Sequence, residues 1–88
     1  MFKRKYSKQF DKEYNRFCEL NSQIADKIDR LMEIILAEPR GGLAHPERLR
    51  HKDNETWSRH IDRKNRLVYT IEDDTVYFER CEGHYDDH

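Results

Sequence analysis

Cysteine is scarce in this chain. Cys18 and Cys81 are the only two among 88 residues, and their spacing fits no disulfide framework, zinc motif or redox motif. Both read as reduced, packed thiols. No apolar run approaches the length that spans a bilayer. The basic start FKRKY is not followed by the apolar stretch of a secretory signal, so no membrane role and a cytoplasmic location are expected. The five histidines lack zinc-type spacing, and neither a metal nor a cofactor is expected. Internal repeats, low-complexity segments and linkers are absent too, which points to a single domain over residues 1–88. With 40% charged and 35% hydrophobic residues, the core is small and the stability margin modest.

Charge is present in quantity but unevenly placed. The net charge of −1 at first argues against a nucleic-acid partner. Residues 72–88 carry Glu72, Asp73, Asp74, Glu79, Glu82, Asp86 and Asp87 against Arg80, so the remainder is net basic. The excess is concentrated between Arg40 and Arg66, where Arg48, Arg50, Lys52, Arg59, Arg63 and Lys64 also lie. Salt screens charges beyond roughly 8–10 Å, so this basic middle faces a polyanion on its own terms. An ordinary mixed, solvated surface is the competing reading.

The stretch RLVYTIEDDTVYFERCEGHY, residues 66–85, organises the chain. Leu67, Tyr69 and Ile71 alternate with Val68 and Thr70, and the pattern resumes from Thr75 to Cys81 after Asp73-Asp74. A hairpin with its turn at Asp73-Asp74 brings Arg66 near His84. Upstream, Glu55 to Asp62 reads as a third strand, with Trp57, Arg59 and Ile61 alternating with Ser58, His60 and Asp62. Phe2 to Tyr6 is a short first strand. Ser7 caps a helix carrying Phe10, Tyr14, Phe17 and Cys18, and Ser22 caps a second carrying Ile24, Ile28, Leu31, Met32, Ile35 and Leu36. The turn between them is short, so the two form an αα-hairpin, and Pro39 with Gly41-Gly42 ends it. Residues 39–54 form a loop with one extended piece. The class is α+β: an N-terminal helical hairpin on one face of an antiparallel β-sheet, the other face left for a ligand.

Several residue types along this frame suit phosphodiester chemistry. RNA carries its own nucleophile, the 2′-OH. Cleavage then needs a base for the 2′-OH proton, a cation for the charge building on phosphate oxygens, and an acid for the departing 5′-oxygen. Glu47, Arg66 and His84 supply that set. Arginine suits the middle role because it stays charged and presents a planar fork of donors. Tyr85 adds a stacking ring. The bland alternative for Arg66, His84 and Tyr85 is an edge pair with solvated tips.

In these residues the chain resembles the YoeB-type toxins of type II toxin–antitoxin modules, a branch of the RelE-like ribosome-dependent endoribonucleases. PERLRH (46–51), WSRHI (57–61), RLVY (66–69) and the C-x-x-HY of residues 81–85 carry the likeness. The resemblance implies a RelE-like, microbial-ribonuclease-like fold and metal-independent cleavage of mRNA in the ribosomal A site by 2′-OH attack. It implies Glu47 as general base, Arg66 as the transition-state cation, His84 as general acid and Tyr85 as the substrate-stacking ring. Arg48, Arg50, His51, Arg59 and His60 become RNA-binding residues. The implied partners are a YefM-like antitoxin, the 70S ribosome and mRNA. A homodimer also belongs to this branch, and operator DNA is reached only through the antitoxin. Two departures stand out. His60 occupies the place of a second arginine, and the chain continues past the tyrosine as Asp86-Asp87-His88. Two further readings stay open: a non-catalytic antitoxin partner and co-repressor, and a gyrase-inhibiting toxin of the same fold. Relatives of the latter generally lack the glutamate–arginine–histidine–tyrosine set.

Overall fold

In the computed structural model, residues 1–50 and 53–84 are described. The elements run β1 (Lys3–Tyr6), α1 (Lys8–Leu20), α2 (Ser22–Ala37), β2 (Glu47–Arg48), β3 (Glu55–His60), β4 (Arg66–Glu72) and β5 (Thr75–Arg80). The strands form one sheet in the order β1-β5-β4-β3-β2. β4 is its centre, and Leu67 through Ile71 are buried without interruption. That is why this strand reads as apolar on both parities.

The helical hairpin lies on one sheet face, as the apolar spacing predicts. Phe10, Ile28, Leu31, Met32, Ile35 and Leu36 pack with Leu67, Tyr69, Ile71, Val76 and Phe78 in one core. Burying a side chain of this size contributes roughly 1.5–3 kcal/mol. Ser7 caps α1 by accepting from Phe10 N at 2.9 Å. The second cap is Asn21 rather than Ser22, accepting from Ile24 N at 3.3 Å, and Asn21 also ends α1. One residue thus closes one helix and opens the next.

The sheet is mixed rather than wholly antiparallel. β2, β3, β4 and β5 pair antiparallel, while β1 pairs parallel with β5. The sequence pattern of a strand does not reveal its direction relative to a partner more than sixty residues away. The hairpin turn falls at Asp73-Asp74 as expected, with Asp73 left-handed at φ 54°. Cys81 is buried, and burial, first among several causes, pushes its thiol up to about 12. Cys18 is exposed rather than packed. The apolar stripe of α1 includes Glu13 instead, buried at 7% exposure.

Candidate functional site

The strand registers sort the predicted residues by face. His60 lies opposite Arg66, and Glu47 lies opposite Ser58, two residues back along β3. Side chains alternate along a strand, so Glu47, Ser58, His60 and Arg66 share the face away from the helices. Thr56, Val68 and Thr70 floor the same face, and Thr56 and Thr70 join hydroxyls at 2.9 Å.

His84 reaches this corner through a bulge. A straight ladder from the turn would set Arg66 opposite Cys81, but the register shifts between Val68 and Tyr69, so that Val68 pairs with Arg80. Glu79 is the extra residue, and its carboxylate accepts from Thr70 Oγ1. The following segment then slides toward Arg66, whose N–H donates to Gly83 O at 3.0 Å. Gly83 sits at φ 85°, a conformation that favours glycine. Its N–H donates to Asn65 Oδ1 at 2.8 Å. Asn65 Nδ2 in turn donates to Asp62, whose carboxylate also accepts the Lys64 and Asn65 N–H groups. Burial opposes the charged form of Asp62, yet these donors hold its carboxyl below the ordinary value. From the other side, buried Glu13 accepts the Cys81 and Glu82 N–H groups at 2.7 and 3.1 Å.

The segment before His84 is therefore clamped at both flanks. His84 itself is exposed, with Nε2 2.9 Å from Arg63 O. A carbonyl only accepts, so Nε2 carries a proton there. Arg66 is half-buried, and its Nη1 donates to Asp62 O at 2.7 Å and Asn65 O at 3.1 Å. These bonds fix the fork at one nitrogen.

His60 is the hub of this corner. Its ring lies 5.0 Å from that of His45, tilted by 43°. Its backbone N–H donates to Ala44 O at 2.9 Å. Ala44 and His45 are consecutive left-handed residues, at φ 71° and 54°. Each such non-glycine residue costs about 1–2 kcal/mol. Burial first, then Arg66, His45 and His84, hold the His60 imidazole below its ordinary value, and Glu47 alone pulls the other way.

Several predicted RNA contacts stand elsewhere. Arg59 is not a surface residue: it is 0% exposed and lies on the helix-side parity with Trp57 and Leu67. Its guanidinium donates to the carbonyls of Leu43 (2.9 Å), Glu38 (3.0 Å), Pro39 (3.2 Å) and Gly41, and its Nε to Tyr69 Oη (3.1 Å). A charged head enclosed this way ties the α2–β2 loop to the core and cannot touch RNA. Arg48 pairs with Trp57, on the opposite face from Glu47, where its charge helps lower Glu55. Arg50 is exposed in the turn after β2. His51 and Tyr85 lie outside the described residues. The corner thus gathers Glu47, His60, Arg66 and His84, and not Arg48 or Arg59.

Sequence reasoning missed the supports. Nothing in the local sequence marks His45, whose ring packs against His60. Asp62-x-x-Asn65 is a recognisable Asx-turn signal. Glu13 falls three residues after Phe10, on the apolar stripe, which marks it as buried in advance.

Residues 6–85 match the sequence model of the YoeB-like toxins of bacterial type II toxin–antitoxin systems. The chain belongs to that family. Toxin YoeB of Escherichia coli K12 is 34% identical over 73 residues, covering 83% of this chain and 87% of that protein. Toxin YoeB of Mycobacterium bovis is 39% identical over 61 residues, covering 69% of this chain and 72% of that protein. Among solved structures, a YoeB/ParE toxin from Agrobacterium tumefaciens superposes with a TM-score of 0.89 at 25% identity, covering 94% of this chain and 99% of that one. A YoeB dimer from Staphylococcus aureus does so at 0.86 and 28% identity, over 96% and 98% of the two chains. A YoeB–YefM complex from the same organism matches at 0.84 and 29% identity, over 97% and 99%. This chain is thus a YoeB-type toxin with the RelE-like fold, and membership of the family implies a nuclease. No helix among the described residues is long and apolar enough to cross a membrane.

Proposed function

We propose that this toxin cleaves mRNA in the ribosomal A site by metal-independent 2′-OH attack. The observation that supports the reading is the backbone bond from Arg66 to Gly83, which brings the chain just before His84 alongside Arg66, with Glu47 and Arg66 on one sheet face. Glu47 takes the 2′-OH proton. The 2′-oxygen attacks phosphorus, and Arg66 offsets the charge on the phosphate oxygens. His84 gives a proton to the departing 5′-oxygen. The products are a 2′,3′-cyclic phosphate and a 5′-hydroxyl. Tyr85 and His51 enter by family likeness as the stacking ring and a phosphate contact, and Arg50 and His60 as further RNA contacts. The ribosome holds the message in line for attack, so isolated RNA is a poor substrate.

The partners follow the same pattern. A YefM-like antitoxin binds this toxin, by likeness to the Staphylococcus aureus YoeB–YefM complex, and holds it inactive. A homodimer parallels the Staphylococcus aureus dimer. Operator DNA is reached only through the antitoxin, and the chain acts in the cytoplasm. Primer extension on translating ribosomes tests the reading. Codon-phased cuts that vanish in Arg66→Ala and His84→Ala support it. Translation arrest without cuts would instead mark a binding-only toxin, and inhibited DNA supercoiling a gyrase inhibitor.

A further inference from the structure

We infer that the His45–His60 pair is a proton-linked phosphate contact: His60 takes up a solvent proton as an RNA phosphodiester settles between it and Arg66. This inference rests on the proposed RNA-cleaving site and adds a regulated contact within it. No bond to RNA forms, and the proton leaves again on release.

Three geometric observations carry it. First, the β3–β4 register sets His60 directly opposite Arg66 on the open face, so one anionic oxygen pair can be shared between them. Second, Ala44 and His45 are adjacent left-handed residues, and the His45 ring lies 5.0 Å from that of His60. Third, the groups facing His60 from every neighbouring element are mostly cationic or able to become so. They are Arg66 on β4, His84 after β5 and His45 in the loop, against Glu47 on β2. Without RNA, that surround disfavours a further positive charge, which agrees with the lowered His60 value. A phosphodiester brings the missing negative charge and reverses the preference. An arginine at position 60 would carry its charge always. A histidine makes the contact conditional on the phosphate and on pH.

The test is an NMR titration of the histidine rings and the Arg66 side-chain N–H groups of the full chain, with and without a saturating 2′-O-methyl RNA trinucleotide, which lacks the attacking hydroxyl. His60→Gln assigns the ring signals. RNA should raise the His60 midpoint by about one pH unit, a tenfold gain in proton affinity. Binding of the same trinucleotide should tighten about tenfold between about pH 8 and about pH 6, beyond any change seen in His60→Gln. His60→Arg should bind tightly with no such excess. A His60 midpoint unmoved by RNA that shifts Arg66 and His84 signals overturns the inference and leaves the RNA site standing. Absence of shifts at all three residues overturns both.

Discussion

Arg59→Met separates a buried structural cation from an RNA contact. Methionine keeps most of the aliphatic stem and removes the guanidinium. The head now satisfies four loop carbonyls and the Tyr69 hydroxyl, with no carboxylate in ion-pair distance among the described residues. Hydrogen bonds to a charged group contribute about 1.5–3 kcal/mol each but do not add independently. Part of that gain offsets the cost of burying the charge itself. The variant leaves buried acceptors unmet while relieving the desolvation, so a net loss of about 3–5 kcal/mol is expected. Domains of this size lose about 4–8 °C of Tm per kcal/mol, so Tm should fall by roughly 12–40 °C. Tyr69 remains a neutral donor to Pro39 O at 2.7 Å, its phenol pushed up by burial despite the neighbouring Arg59, and it holds only one of the four carbonyls. Urea and thermal unfolding followed by far-UV circular dichroism measure the loss. A variant within about 1 kcal/mol of the parent, with weakened RNA binding in an intact fold, would refute the burial argument and return Arg59 to the surface.

The remaining predictions concern the clamp, the acid limb and the thiols. Asn65→Ala removes the acceptor for Gly83 N–H, and cleavage on ribosomes should fall mainly in kcat, with KM nearly unchanged; an unaltered kcat would mean His84 needs no such support. Glu13→Ala strands the Cys81 and Glu82 N–H groups and should cost about 1–3 kcal/mol in denaturant titration, whereas a neutral result would contradict its role as an anchor. The Arg40 hydrogen bond, chiefly, holds the Glu55 carboxyl low. A depressed carboxylate stabilises the fold above its unfolded value, and that contribution is lost as pH falls through the folded value. Arg40→Gln should therefore lower stability above the unfolded carboxylate value, and the gap to the parent should close as pH falls through the folded value; superimposed pH–stability curves would rule this out. A thiol reagent should modify exposed Cys18 in the native protein and buried Cys81 only after unfolding, and equal native rates would contradict the placement of Cys81.

Much of this architecture is written in local periodicity. The alternation in RLVYTIE and TVYFER, and the spacing of Ile28, Leu31, Ile35 and Leu36, are direct consequences of which faces meet the core. The parity of β3 already groups Arg59 with Trp57 and Ile61, so its burial was legible, but the habit of reading arginine as surface conceals it. The parallel pairing of β1 was not legible, because direction depends on how the helical hairpin carries the chain across the sheet. Nor was the bulge at Glu79, which has no residue signature of its own yet moves the chain end toward Arg66. The hairpin turn alone suggested that Arg66 and His84 approach. The route by which they do so, through Asn65, Gly83 and Glu13, depends on tertiary hydrogen bonds that no local pattern encodes.

The central claim is that this open-face corner handles a phosphodiester through the RNA's own hydroxyl. Its most direct test is a message programmed into the ribosomal A site with 2′-deoxy nucleotides in that codon alone, compared with the all-ribose message. The ribose message should be cut to a 5′-hydroxyl product and the deoxy message should stay intact. Equal cutting of both would contradict it.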